Sequence, residues 1–413
     1  MKLSEIRDLV HISRPAAPYG DRRLARCYSI GDLARLARRR LPEAALGYLE
    51  GGGEDEYTLR RNRDAFDSLE LVPRVLNDVS RVDTSTLIMG VPVPLPIALA
   101  PVGAPRLIHH EGELAVARAA SRARLPYGIS TLATFPLEEI AHESDGILWF
   151  QLYVWGDRGV AKELIEKAKG LGYQALLVSV DVTVRSKRER ELRAGLTLPT
   201  PHLTIPTVLE GATHPYWWWH FLTSEPPSFP NVSRPGLEPG RQETLSQMFD
   251  GTVSWDDLDW IMSAWDGPIA LKGVLSADDA RHAADLGVDA VIVSNHGGRQ
   301  LDHVPPAIDV LPRIVDEVGD RVEVLLDSGI RRGTDIVAAL ALGASGVLIG
   351  RAYLYGLGAA GETGVRHAID ILREEIRTAM ALCGAAKLTD LNRRLIHKRS
   401  GTSAGPAVRE PEG

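Results

Sequence analysis

A histidine, an arginine and two glycines fall together in Ser294-Asn-His-Gly-Gly-Arg-Gln-Leu-Asp302-His303, directly after the apolar run Asp289-Ala-Val-Ile-Val293. A buried strand opening into such a loop delivers an imidazole that can take a proton and a guanidinium that can grip an anion. Its glycines leave the backbone free to approach a ligand closely. Taken alone, the same residues also describe a satisfied histidine in an ordinary turn, so the weight rests on what else the chain brings to strand ends. Lys272 closes the apolar run Ile269-Ala-Leu, where an isolated buried charge is costly without an anionic partner. Asp327-Ser-Gly-Ile-Arg331 and Gly346-Val-Leu-Ile-Gly350-Arg351 add glycines and two arginines, a set that holds a phosphate through N–H groups and guanidinium. Together they predict a phosphorylated cofactor or substrate.

Eight short apolar runs must position these groups: Pro96–Ala100, Tyr127–Thr131, Leu148–Tyr153, Ala175–Asp181, Pro268–Gly273, Ala290–His296, Glu323–Gly329 and Gly346–Arg351. Amphipathic helical patterns lie between them, such as Glu113–Arg124, Arg158–Gly170, Ala277–Leu286 and Thr334–Leu342, the last stopped by Gly343. Strands apolar on both faces and alternating with helices describe a (β/α)8 TIM barrel of the α/β class better than an open sheet. Chemistry in that fold sits at the C-terminal rim, and there the strand ends turn polar. They present Pro101-Val102-Gly103, Ser130 with Thr131, Gln151 and Tyr153, Ser179 and Asp181, Lys272, Ser294 with His296, Asp327, and Gly350-Arg351.

Residues 1–90 read as an N-terminal helical cover, with helical patterns over Ile30–Leu41 and Ala44–Leu49 before Gly51-Gly-Gly-Glu-Asp55. Residues 91–384 read as the barrel and 385–413 as a C-terminal tail, whose Gly/Ser/Pro-rich end, Ser400–Gly413, is expected to be disordered or an extended arm. The gap from Val182 to Gly267 between strands four and five is too long for a simple connection, so an insertion is expected at 189–254. Its His214-Pro-Tyr-Trp-Trp-Trp-His-Phe-Leu222 suits a lid packed on the barrel, a quinone-facing surface or an interfacial membrane anchor, with lid packing ranked first.

The 413 residues, 44% hydrophobic and 24% charged, have the composition of a globular chain able to bury a large core. A net charge of -7 supplies no basic field for nucleic acid, and the local arginine runs read as solvated faces. Cys27 and Cys383 form no CxxC pair, which leaves no basis for a disulfide framework or a zinc site and fits a reducing cytoplasm. The opening Met1-Lys-Leu-Ser-Glu-Ile-Arg-Asp carries no apolar run and no stretch of about 18 apolar residues occurs, so neither export nor a membrane span is expected. His109 and His110 are adjacent but lack ligands at a matching spacing, so no metal is expected.

The set SNHGGRQLD, LDSGIRRGTD and GVLIGR, read over about Tyr28 to Gly384, resembles the FMN-dependent L-2-hydroxy-acid dehydrogenase and oxidase family. That family includes glycolate oxidase, lactate oxidase and mandelate dehydrogenase, and the chain is most similar to bacterial L-lactate dehydrogenases that pass electrons to quinone. The resemblance implies FMN bound in the 91–384 barrel, His296 as the active-site base and Asp181 as its hydrogen-bond partner. It implies that Arg188 and Arg299 clamp the substrate carboxylate while Tyr48 and Tyr153 complete the pocket, Tyr153 towards the hydroxyl oxygen. For the flavin it implies Lys272 at the N1/O2 edge, Ser130, Gln151 and Ser179 on the ring system, and Pro101, Val102 and Gly103 against the reactive face. Ser294 and Gly329 join the cofactor set, with Asp327 at the ribityl hydroxyls and Arg331, Gly350 and Arg351 at the phosphate. Val102 and Gly103 depart from a family pattern that often has Thr and Ala there, which removes a hydroxyl and a methyl beside the flavin.

The expected reaction is therefore oxidation of an L-2-hydroxy acid, L-lactate first, with electrons passing to quinone or another carrier. Oxygen as acceptor is the alternative. So is a larger aromatic or peptide-derived substrate, because Leu132 follows strand two where relatives can carry an aromatic residue. A flavin carrier without turnover would not need both substrate-side arginines. The resemblance further implies a homotetramer, cytoplasmic, with peripheral contact at the inner face of the cell membrane.

Overall fold

A computed structural model describes residues 19–197, 200–201, 213–232 and 250–399. The eight expected strands are all present: β1 (Ile97–Leu99), β2 (Tyr127–Ser130), β3 (Leu148–Tyr153), β4 (Ala175–Ser179), β5 (Ile269–Val274), β6 (Ala290–Val293), β7 (Glu323–Leu326) and β8 (Gly346–Ile349). They form one closed parallel barrel in chain order, with β8 hydrogen-bonded to β1 and β4 to β5 across the insertion. Nearly every strand residue is buried, because helices cover the outside and side chains from facing strands fill the inside. Several strands stop short of the sequence-based ends. Asp181, His296 and Arg351 lie beyond the last ladder residues, so their side chains are not held to the alternation of a strand, and Gly329 lies there as bare backbone.

Each strand is followed by a helix: α1 (Gly112–Ala123), α2 (Leu137–His142), α3 (Arg158–Gly170), α4 (Asp257–Ala264), α5 (Ala277–Leu286), α6 (Ala307–Val318), α7 (Gly333–Ala341) and α8 (Arg351–Leu382). Local chemistry sets their ends. The Asp157 and Ser276 side chains accept from the first-turn N–H groups of Gly159 and Asp279, and Gly287 ends α5 in the left-handed conformation. Non-helical backbone at Ala360 and Gly361 kinks α8.

The N-terminal helices Ile30–Arg38, Glu43–Glu50 and Tyr57–Asp67 cover part of the barrel, and Ile30, Leu33, Ala37 and Phe66 are buried. A hairpin of Thr86–Ile88 and Val91–Val93 lies at the opposite end, where the Met89 N–H donates to Glu323 at the start of β7, 2.7 Å. The first part of the C-terminal segment folds back, and Ile396–Lys398 pairs antiparallel with Leu69–Leu71. Residues 400–413 lie outside the described residues.

In the insertion, Glu189–Arg193 and Pro215–Thr223 are helical. Trp217 packs inward, donating from its indole N–H to the Leu107 carbonyl at 3.0 Å and stacking on Phe221. Tyr216, Trp219 and Leu222 on the same helix are 56%, 67% and 73% exposed. No described helix is long and apolar enough to cross a membrane.

Candidate active site

At the end of β6 the chain turns sharply, and His296 takes a left-handed backbone, φ +57°, that non-glycine residues seldom adopt. Its own N–H donates to Ser294 Oγ at 3.0 Å, which fixes the turn. The imidazole Nδ1 then faces both oxygens of Asp181, beyond β4, at 3.1 and 3.2 Å. Burial alone would raise the Asp181 carboxyl, but the facing His296 and then Lys272 outweigh it and hold the group below its ordinary value. An ionised Asp181 fixes the Nδ1–H tautomer and leaves Nε2 to take a proton. This approach depends on Gly273, which sits in a β5 irregularity at φ +109°: a Cβ there would lie 2.6 Å from Asp181 Cγ.

The two predicted arginines converge beside this pair. Arg299 donates through Nη1 to the carbonyls of Tyr48 and Gly51 at 2.7 and 2.8 Å, and its guanidinium lies 5.0 Å over the Tyr48 ring. Arg188 donates through Nε to Ser186 Oγ at 3.2 Å and through Nη2 to Gln300 Oε1 at 3.1 Å. Burial and the neighbouring Arg299 push its guanidinium below the ordinary value. Glu191, absent from the sequence-based set, is buried here with Oε1 2.6 Å from Arg299 Nη2. Tyr153 lines the pocket as expected, whereas Tyr48 Oη donates to the Gly103 carbonyl at 2.6 Å and so ties the pocket wall together.

On the cofactor side Lys272 Nζ forms a buried pair with Asp327 at 2.8 Å and donates to Ser294 Oγ at 3.0 Å. Burial would lower this ammonium, but Asp327 and then Asp181 outweigh it and hold it above its ordinary value. Ser328 Oγ, also missed by sequence, donates to Asp327 Oδ1 at 2.7 Å and accepts the Gly297 N–H at 3.0 Å. Arg351 braces three backbone carbonyls, of Leu49, Gly297 and Gly51. Burial, then Arg299 and Arg331, push it down to about 9. Beside Arg331 and at the uncapped N-terminus of α8, it forms a half-buried positive corner suited to a phosphate.

Tyr48, Pro101, Val102, Gly103, Tyr153, Arg188, Lys272, His296, Arg299, Asp327, Gly329, Arg331, Gly350 and Arg351 all line one pocket, with about 1290 Å³ of atom-free space including its open mouth. Ser130, Gln151, Ser179, Asp181 and Ser294 stand outside that lining. Ser294 is a bracket between Lys272 and His296, and Ser130 donates to Gln151 Oε1 at 3.0 Å. That contact leaves buried Gln151 Nε2 without a partner, as is buried Ser179 Oγ. Two orphaned polar atoms on adjacent strand ends, a buried lysine and a cationic corner fit the polar ring edge and phosphate of FMN.

Sequence held a signal for the two most informative omissions. Glu191 stands three residues after Arg188, an ion-pair spacing on one helix face. Gly273 interrupts a strand, which marks a bulge or a close approach. Asp302 proves structural, accepting the N–H groups of Tyr57 and Thr58, and Arg332 pairs with Glu375. His109, His110 and Glu111 each bring a ligating atom within 4.8 Å of the others, but the Glu111 carboxylate is bound by Arg118 at 2.5 Å.

Residues 37–398 match the family model described as FMN-dependent dehydrogenase. A relative from Mycobacterium tuberculosis is 44% identical over 96% of this chain and 95% of its own length. The L-lactate dehydrogenases of Chromohalobacter salexigens and Caulobacter vibrioides are 41% and 42% identical, covering 87% and 90% of this chain and 93% and 98% of theirs. Among solved structures, the monotopic membrane protein (S)-mandelate dehydrogenase superposes with TM-score 0.86 at 38% identity, over 91% of this chain and all of that one. A mandelate oxidase with (S)-mandelic acid gives TM-score 0.77 at 37% identity, over 91% of this chain and all of that one.

Proposed function

Because the chain belongs to the FMN-dependent dehydrogenase family, we propose that it oxidises L-lactate to the 2-oxo acid and passes the electrons to a quinone at a membrane surface. Bound FMN supplies the two-electron acceptor for the acid's oxidation. The observation that carries the reading is the convergence of the Asp181–His296 pair and the Arg188–Arg299 pair on one pocket. The guanidiniums hold a carboxylate in a fixed orientation. His296 Nε2 receives the proton that the hydroxy acid loses, and Asp181 stabilises the resulting imidazolium. Lys272, Gln151 and Ser179 would hold the ring edge, and Arg331 and Arg351 the phosphate.

L-Lactate is favoured by the names of the two L-lactate dehydrogenases. A second reading, an aromatic 2-hydroxy acid, is favoured by the apolar wall of Gly103, Leu132 and Phe229 and by the mandelate enzymes among similar structures. The quinone assignment draws on the exposed aromatic face of Pro215–Thr223 and on the monotopic relative, with oxygen as the alternative acceptor. The deciding experiment mixes the holoenzyme anaerobically with L-lactate, D-lactate, glycolate and L-mandelate while following flavin absorbance, then admits oxygen or a quinone analogue. L-Lactate is expected to bleach fastest and the quinone analogue to restore colour faster than oxygen. Bleaching by L-mandelate alone favours the second reading, and bleaching by none overturns both.

A further inference from the structure

The arginines that would hold the substrate carboxylate already share one inside the protein. Glu191, on the short helix Glu189–Arg193, is 1% exposed, with Oε1 2.6 Å from Arg299 Nη2 and 3.7 Å from Arg188 Nη1. Its other oxygen, Oε2, has no hydrogen-bond partner among the described residues. Apart from Glu191, the hydrogen bonds of the two guanidiniums go to neutral acceptors: the Tyr48, Gly51 and Arg299 carbonyls, Ser186 Oγ and Gln300 Oε1. Within this trio two positive charges and one negative charge leave a single net positive charge, and Arg185, lining the same pocket, adds its own beside it.

We propose that Glu191 sets the charge of the acid this pocket accepts: with its carboxylate in place the arginine pair matches a monocarboxylate and rejects a second carboxylate group. A dianionic acid would bring two negative charges to a guanidinium pair of which one charge is already matched by Glu191, held by Arg299; Arg185, which also lines the pocket, is the same with and without Glu191 and so leaves the comparison between them unchanged. In a partly desolvated pocket that mismatch is felt far more strongly than in water. Asp181 and Asp327, the other carboxylates at the site, are taken by His296 and Lys272, so neither offsets nor supplies charge at the arginine wall. The proposal rests on the reading that Arg188 and Arg299 receive the substrate carboxylate.

The test is Glu191→Gln, which keeps the shape and an oxygen for Arg299 while removing the charge. Pyruvate and oxalate, a monoanion and a dianion, are titrated into oxidised holoenzyme and their dissociation constants read from the perturbed flavin spectrum, without turnover. Removing one charge is expected to shift the ratio of the two constants about tenfold towards oxalate, with a parallel rise of L-malate over L-lactate in kcat/KM. Arg188→Gln, which removes a positive charge from the same wall, is expected to move the ratio the opposite way, and Glu191→Leu, which removes the same charge without an amide, takes the place of Glu191→Gln if that variant does not fold. An unchanged ratio in the variants, or both ligands weakened in equal proportion, overturns the assignment. If wild-type enzyme binds neither anion, the arginine reading itself has failed, a result distinct from failure at Glu191.

Discussion

His296 stands in a strained backbone conformation, held by Ser294 and aimed by Asp181, and none of its side-chain bonds supports the barrel. Removing the imidazole should therefore cost chemistry and leave the fold. His296→Ala is expected to retain FMN and its melting temperature while slowing flavin reduction by the hydroxy acid by about 10²- to 10⁴-fold, the usual worth of a positioned general base; stopped-flow absorbance would measure it, and reduction at the wild-type rate would remove His296 from the mechanism. His296, Arg299 and Lys272 were readable in sequence because each ends or follows an apolar run, where a charged or titratable group stands out. Glu191 and Gly273 were harder to read. Glu191 looks like one charge in a row of charges until the helix turns it inward, and the need for glycine at 273 appears only when Asp181 arrives from the neighbouring strand.

The strands and their helices were readable because each is a short local pattern, continuous apolar residues for β1–β8 and amphipathic spacing for α1, α3, α5 and α7. Pairings between distant segments were not. Nothing local announces that Ile396–Lys398 returns to Leu69–Leu71, or that Glu113, an ordinary first-turn carboxylate in the pattern of α1, faces inward. The Thr134 backbone N–H and hydroxyl both reach Glu113 at 2.6 Å, pinning the loop after β2 against α1. Burial nonetheless pushes the Glu113 carboxyl up to about 7, against a partial offset from Thr134. The unfolded chain ionises this group near pH 4.5 and the folded chain only near 7. The stability it contributes is thus intact below pH 4.5 and is lost as pH rises through 7, by about 3 kcal/mol. Glu113→Gln cannot ionise, so its melting temperature should match wild type near pH 4 and exceed it by several degrees above pH 7. Melting curves that run parallel across that range would show that Glu113 titrates as an ordinary carboxyl.

For the whole molecule, the issue is how a chain with net charge -7 and no described membrane-spanning helix would meet a lipid-soluble acceptor. A net charge of -7 gives no long-range attraction of the whole chain to an anionic surface, so the proposed membrane contact would rest on apolar insertion. Helix Pro215–Thr223 has the required two sides: Trp217 is fixed to the β1–α1 loop through the Leu107 carbonyl, while Tyr216, Trp219 and Leu222 face outward. Aromatic rings with a polar edge favour the lipid headgroup level. Trp219→Ser combined with Leu222→Ser alters only exposed side chains. It should abolish co-flotation with uncharged phosphatidylcholine vesicles and leave anaerobic bleaching by the acid unchanged, and wild-type binding should survive high salt because no ion pairs hold it. Flotation that persists in the double variant would place the membrane contact elsewhere. If flotation is retained while bleaching slows, the helix serves as a lid over the β1–α1 loop, since Trp217 and Leu107 would then transmit the change to Gly103 and the pocket wall.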